Sequence, residues 1–268
     1  MEHMETQEER LTYLVEAFKA DAGEYRGLET PPDTEGKRRL LRSLMNIRLP
    51  RPLPEPVLFV QDEYLRRRAE ERGIVRVGDI PVRRGHVSLW QGDITCLAAD
   101  AIVNAANSQM LGCFVPMHTC IDNCIHSFAG VELRAACARE MAKLRAQFGP
   151  DYEQPTARPM LTEAYNLPAK KVVHIVGPIV DGPLTPAHER ALAACYENTL
   201  TLCRAEGLES VAFCAISTGV FHFPPERAAQ IAVKTVDNWL EAHPGELERV
   251  IFTVHSDRSR EIYERIMG

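Results

Sequence analysis

From about Ile74 onward, short apolar runs alternate with segments long enough for helices, and few folds accept that order. His86 to Trp90 alternates apolar and polar residues and reads as a strand. Ala101-Ile102-Val103 is a short apolar run ending at the polar Asn104. Val172 to Val176 is a buried-strand candidate stopped by Gly177-Pro178, and Val211 to Ile216 and Val250 to Val254 are two more. Between them, about Asp122 to Gln147, Pro186 to Glu206, Pro224 to Ala242 and Arg258 to Met267 have helix length. Strands alternating with helices predict an α/β layer architecture on a mixed or mostly parallel sheet. Ligands of such sheets sit beyond the carboxyl ends of the strands, so the residues following each strand carry the functional information.

The stretch before Ile74 reads differently. Leu11, Leu14, Val15 and Phe18 recur at helical spacing, as do Leu40, Leu41, Leu44 and Met45. Gly27 to Gly36 is a polar loop with a Pro-Pro pair. Pro50 to Pro56 is too rich in proline for a helix, and a third helix fits Val57 to Arg72. Three short helices make a marginal core alone. Residues 1–75 are therefore expected to form a helical extension packed on an α/β unit spanning 76–268.

Composition excludes some functions. The formal net charge is -6 and no long basic run exists, which argues against a general nucleic-acid binder. Arg66-Arg67-Arg68 is followed at once by Glu70 and Glu71 and reads as a solvated helix face. No apolar run approaches the roughly 18 residues that span a bilayer. The first ten residues lack the basic and apolar regions of a signal peptide, so a cytoplasmic, reducing location is expected. In that setting the eight cysteines are buried thiols, metal ligands or catalytic groups. Cys96, Cys137, Cys195, Cys203 and Cys214 sit singly among apolar or helical neighbours and read as small core residues. Cys113, Cys120 and Cys124 are crowded together.

Three junctions carry candidate chemistry. Asn104-Ala105-Ala106-Asn107 follows a buried strand, and its two carboxamides flank small residues that let a ligand approach; an Asn-containing turn is the plain alternative. Ser217-Thr218-Gly219-Val220-Phe221 precedes a helix opened by Pro224. Free amides in such a loop, with the helix dipole, hold phosphate without a lysine. The loop matches neither a Walker motif nor a dinucleotide fingerprint. Most specific is Cys113-x4-His118-x-Cys120, two thiolates and an imidazole in a short loop, a donor set that suits Zn2+. Three ligands leave an open, catalytic position; Cys124 or His126 would close the site into a structural one. A helix starting near Asp122 would turn both of these away, which favours the open form. Asp122 is a candidate for orienting water or stabilising charge on a sugar, and also a candidate helix N-cap.

Together these stretches resemble the macrodomain family. The resemblance runs through Gly92-Asp93-Ile94-Thr95, Asp100 to Asn107, Ile121 to His126 with Ala129-Gly130, Tyr165 to Pro168, Val173 to Pro178, and Ser217 to Phe221 with Phe223-Pro224. It implies a three-layer α-β-α macrodomain with a mixed six-stranded sheet. One departure is specific: the glycine run usual before the helix Asp is replaced by the Cys-x4-His-x-Cys segment. That looks like the zinc-dependent microbial branch, often encoded beside a sirtuin-type ADP-ribosyltransferase and a lipoyl-carrier protein. Leu41 to Arg48 and Gln61 to Leu65 also look like that branch's helical extension.

The resemblance implies residue roles. Asp93 contacts the adenine amino group with the Ile94 backbone beside it. Ser217, Thr218, Gly219, Val220 and Phe221 hold the diphosphate, with Phe221 near the distal ribose. Asn107 and Asp122 stand at that ribose as catalytic residues, and Cys113, His118 and Cys120 hold one zinc facing it. The implied activity is zinc-dependent removal of mono-ADP-ribose from acidic side chains of a protein. Alternatives are a non-catalytic ADP-ribose reader with a structural zinc, or an O-acyl-ADP-ribose deacylase.

Overall fold

The computed structural model describes residues 5–268. The first helices are α1 (Gln7–Asp21), α2 (Thr34–Ile47) and α3 (Glu55–Arg72). Thr6 and Glu9 form a reciprocal capping box at the start of α1, and Asp33 caps α2. Helix α3 starts two residues before the predicted Val57, because Pro56 falls in its first turn, where a missing N–H costs nothing. The chain continues through β1 (Val75–Arg76), β2 (Val87–Gln91), β3 (Leu97–Ala98) and β4 (Ala101–Ala106) to α4 (Ile121–Ala129) and α5 (Val131–Phe148). Then follow β5 (Met160–Glu163), β6 (Lys171–Val176), α6 (Pro186–Ala205), β7 (Ser210–Phe213), α7 (Pro225–Ala242), β8 (Arg249–Val254) and α8 (Asp257–Met267).

Six strands form one sheet in the order β2-β8-β7-β4-β6-β5, with β5 alone antiparallel; β1 and β3 make a separate two-stranded pair. In β4, Ala101, Ile102, Val103 and Asn104 are all fully buried, so side chains of both parities are covered. Strands β6, β7 and β8 behave alike. A sheet buried on both faces needs helices on both faces, which gives the expected three layers.

Several predicted boundaries are corrected. The segment Asp122 to Gln147 is two helices, because Gly130 breaks it at φ 96, a conformation that side chains resist. Asn104 lies inside β4 rather than after it. The strand at Val211 ends at Phe213, and Met160–Glu163 supplies an edge strand too short and too irregular in pattern to be read from the sequence.

The extension has its own apolar cluster, with Leu14, Val15, Leu41 and Leu44 at its centre. Val131 packs against it, and buried or part-buried hydrogen bonds join it to the rest of the chain. Asn46 Nδ2 donates to Ser127 Oγ at 2.8 Å, and Asn166 Nδ2 donates to Asp62 Oδ1 at 2.7 Å. The Val131 amide donates to Gln61 Oε1 at 3.1 Å, and Arg134 Nη1 donates to the Met45 carbonyl at 3.1 Å. The five scattered cysteines are buried, as their surroundings predicted. Arg66 and Arg67 are exposed and face acidic residues of their own helix, as a solvated helix face requires, whereas Arg68 is half-buried and paired with Glu71. No helix among the described residues is long and apolar enough to cross a membrane.

Candidate active site

A cleft of about 590 Å³ opens at the carboxyl ends of the parallel strands. Gly92 after β2, Gly177 after β6, Cys214 after β7 and Val254 of β8 all contribute to its wall. Of the predicted site residues, Asp93, Ile94, Cys120 and Ser217 to Phe221 line it. Asn107, Asp122, Cys113 and His118 are not among the lining residues.

At one end, Asp93 caps a single 3-10 turn, Ile94–Cys96. Its Oδ1 accepts from the Thr95 amide at 2.9 Å and the Thr95 hydroxyl at 2.6 Å. Its Oδ2 accepts from Arg72 Nη1 of α3 at 3.0 Å, and the Arg72 guanidinium lies 3.7 Å from the Phe128 ring centroid. Sequence reading missed Arg72, since nothing in α3 alone signals that its last turn reaches Asp93.

The loop after β7 presents its amides. Those of Gly219, Val220 and Phe221 donate to no acceptor among the described residues. Ser217 stands at φ 64, and its buried Oγ has no partner. The N-terminus of α7 follows directly, so the loop combines free donors with a helix dipole. Gly177 makes this possible: a Cβ there would stand 2.1 Å from Ser217 Oγ. His255 and Ser256, after β8, also line the cleft and were missed, although they too follow a strand.

The third group meets at α4. Ligand atoms of Cys113, His118 and Cys120 all lie within 4.8 Å of one another, and Cys113 Sγ is 3.5 Å from His118 Nδ1. Tetrahedral zinc at ordinary bond lengths sets ligand atoms about 3.4–3.8 Å apart; the Cys113–His118 pair stands at that spacing, and the donor set suits the ion by its chemistry. Cys124 and His126 stand outside this group. Cys120, not Asp122, caps α4, with its Sγ accepting from the Asn123 amide at 3.4 Å. Burial pushes the Cys120 thiol up to about 12, so a thiolate there calls for a cation beside it.

Asp122 is held inside the protein. Its Oδ1 accepts from Asn104 Nδ2 at 2.8 Å, its Oδ2 lies 3.5 Å from Asn107 Nδ2, and burial pushes its carboxyl up to about 6. Asn104 Nδ2 also lies 3.0 Å from His174 Nδ1, and His174 Nε2 lies 3.0 Å from Thr162 Oγ1. The Asn104 amide therefore ties the carboxylate to a buried imidazole. Asn107 Nδ2 further donates to the Gly112 carbonyl at 3.2 Å, directly before Cys113. Asn107 thereby braces the loop that carries the candidate ligands, and Asp122 lies in the first turn of the helix that follows it.

Fold and cleft define an α/β domain whose ligand site is built from strand-end loops beside a helix N-terminus. The Macro domain family model matches residues 103–232. A protein-ADP-ribose hydrolase of Treponema medium is 44% identical over 267 residues, 98% of this chain and 100% of the relative. One of Staphylococcus aureus (strain MRSA252) is 37% identical, covering 98% of this chain and 97% of the relative. The solved macrodomain of Trypanosoma brucei in complex with ADP-ribose superposes with a TM-score of 0.64 at 27% identity, covering 90% of this chain and 97% of that one. The chain belongs to the macrodomain family.

Proposed function

We propose that this protein hydrolyses the bond joining mono-ADP-ribose to an acidic side chain of a modified protein, with zinc held by Cys113, His118 and Cys120. The observation that carries the reading is that Cys120 belongs both to the three-donor cluster and to the cleft wall. The full-length similarity to relatives named protein-ADP-ribose hydrolase supports it. Within the reading, Asp93 and the Ile94 backbone receive the adenine, and the free amides of the Ser217–Phe221 loop receive the diphosphate. The distal ribose then lies toward Phe221 and Cys120. Zinc, when bound, supplies a Lewis acid at that end of the cleft. Asn107, which also holds the Gly112 carbonyl, and Asp122 are the catalytic residues of this reading, at the distal ribose. A carboxylate leaves readily, so the site needs no strong general acid. The substrate protein is one modified by a sirtuin-type transferase, with a lipoyl-carrier protein as the first partner to try.

The test is release of ADP-ribose from a protein modified on an acidic residue. Cys113→Ala, His118→Ala and Cys120→Ala are expected to abolish turnover, and a chelator is expected to do the same to the wild type until zinc is restored. Full-rate release by chelated protein defeats the zinc reading. Tight ADP-ribose binding without release makes the protein a reader. Faster turnover of O-acyl-ADP-ribose than of modified protein makes the metabolite the substrate.

A further inference from the structure

The loop carrying Cys113 and His118 has little regular structure of its own: one internal backbone bond joins the His118 amide to the Val115 carbonyl at 3.2 Å. Met117 sits at φ 59, a conformation that a side chain takes only when its surroundings impose it. What imposes it comes largely from α2. Asn46, 1% exposed, accepts from the Met117 amide at 3.0 Å through Oδ1. Arg42, one turn earlier on the same face, donates from Nη2 to the His118 carbonyl at 2.8 Å and to Asn123 Oδ1 at 2.9 Å. Asn123, oriented in this way, donates from Nδ2 to the Val115 carbonyl at 2.9 Å and the Cys113 carbonyl at 3.3 Å. Backbone groups at positions 113, 115, 117 and 118 are thus fixed, directly or through Asn123, by two side chains of the helical extension.

We infer that Arg42 and Asn46 are positioning residues for the metal-ligating loop, so that α2 is a working part of the site and the extension governs how firmly the metal is held. The inference rests on the zinc reading above. Three ligands on an unsupported loop would pay the entropy of ordering that loop at each binding event. Here hydrogen bonds from a preformed helix hold the backbone in its binding shape beforehand. Arg42 is half-buried and Asn46 also bonds Ser127, so the two can be tested separately.

The experiment loads the full chain with zinc and follows its release to a chromogenic chelator. Arg42→Met and Asn46→Ser are each expected to speed release about 10- to 100-fold, the usual effect of losing a group that orients a ligand. Lys37→Met serves as control: it removes a bond of the same extension to Thr12, remote from the loop, and is expected to leave release within about twofold of wild type. AMP affinity, a readout of the adenosine end of the cleft, is expected to stay unchanged in all three. Should Asn46→Ser fail to fold, Arg42→Met alone decides. Amide exchange at Met117 gives a metal-independent reading, expected to accelerate in Asn46→Ser. Wild type that takes up no zinc defeats the metal reading and this inference with it. Wild type that holds zinc while Arg42→Met holds it equally well defeats the inference alone. Equal acceleration by Lys37→Met reduces the effect to general loosening and defeats it too.

Discussion

Single side chains in this protein serve two masters, and Asp93 is the clearest instance. One carboxylate caps a 3-10 turn, accepts from Arg72 and faces the cleft. Asp93→Ala is expected to weaken ADP-ribose binding by about 1–3 kcal/mol, the cost of stranding a polar partner. Titration calorimetry measures it, and affinity within error of wild type would remove Asp93 from the site. Gly177 gives a sharper test because it has no side chain of its own and stands directly against Ser217. A methyl group there would stand 2.1 Å from Ser217 Oγ and 2.7 Å from Ile216 Cγ2. Gly177→Ala should push the Ser217–Phe221 loop aside and weaken ADP-ribose binding about tenfold, in line with the usual cost of overpacking. A crystal structure of the variant should show the loop displaced; an unmoved loop with full affinity refutes the steric account.

At the scale of elements, the break between α4 and α5 matters most. Gly130 at φ 96 and ψ 171 redirects the chain so that Val131 meets Gln61 of α3. A Cβ at Gly130 would stand 2.8 Å from Gln61 Nε2 and 3.0 Å from Asn166 Nδ2. Gly149 has a similar backbone, φ 115 and ψ 158, with open space around it. Gly130→Ala is expected to cost about 2–4 kcal/mol in urea unfolding, and Gly149→Ala only the backbone share of about 1–2 kcal/mol. Equal losses would show that the helix break does nothing for the extension. The sequence displays Gly130 plainly but within a helical pattern, and an isolated glycine there is no evidence of a break until something is known to lie against it.

For the whole molecule, burial of two histidines makes acid stability a property of the fold. Burial holds His174 neutral, down to about 3, and holds His126 well below its ordinary value. The unfolded chain protonates both near 6.5 while the native chain does not. The histidines' contribution is therefore complete above about pH 6.5 and is lost as pH drops toward 3, by up to about 1.4 kcal/mol per pH unit for each proton taken up. Asp122, raised to about 6 by the same burial, works in the opposite direction and offsets part of this. His174 faces Asn104, Thr162, Cys137 and the ring of the neutral His126, none of which supplies a full charge to it. His174→Gln is expected to lower the melting temperature at pH 7.5 and to flatten its decline between pH 6.5 and 4.5. A slope as steep as that of wild type would place the titrating group elsewhere.

What the sequence determined by itself was whatever depends on neighbours along the chain. Alternation of strand and helix set the layered fold, the strand-end turn set the Ser217–Phe221 loop, and Cys-x4-His-x-Cys set the cluster of candidate donors, because each works over a few consecutive residues. What only the tertiary structure decided was everything that reaches across the chain. Asn104 reads as the end of a strand and proves to be its buried interior, tying Asp122 to His174. Asp122 reads as a candidate cap, yet Cys120 does the capping and the Asp122 carboxylate is buried. Arg42, Asn46 and Arg72 read as ordinary helix residues, yet each bonds a residue far along the chain, at 118, 117 and 93. A periodic pattern tells which face of a helix is apolar; it carries no information about which distant backbone a polar residue on the remaining face will meet.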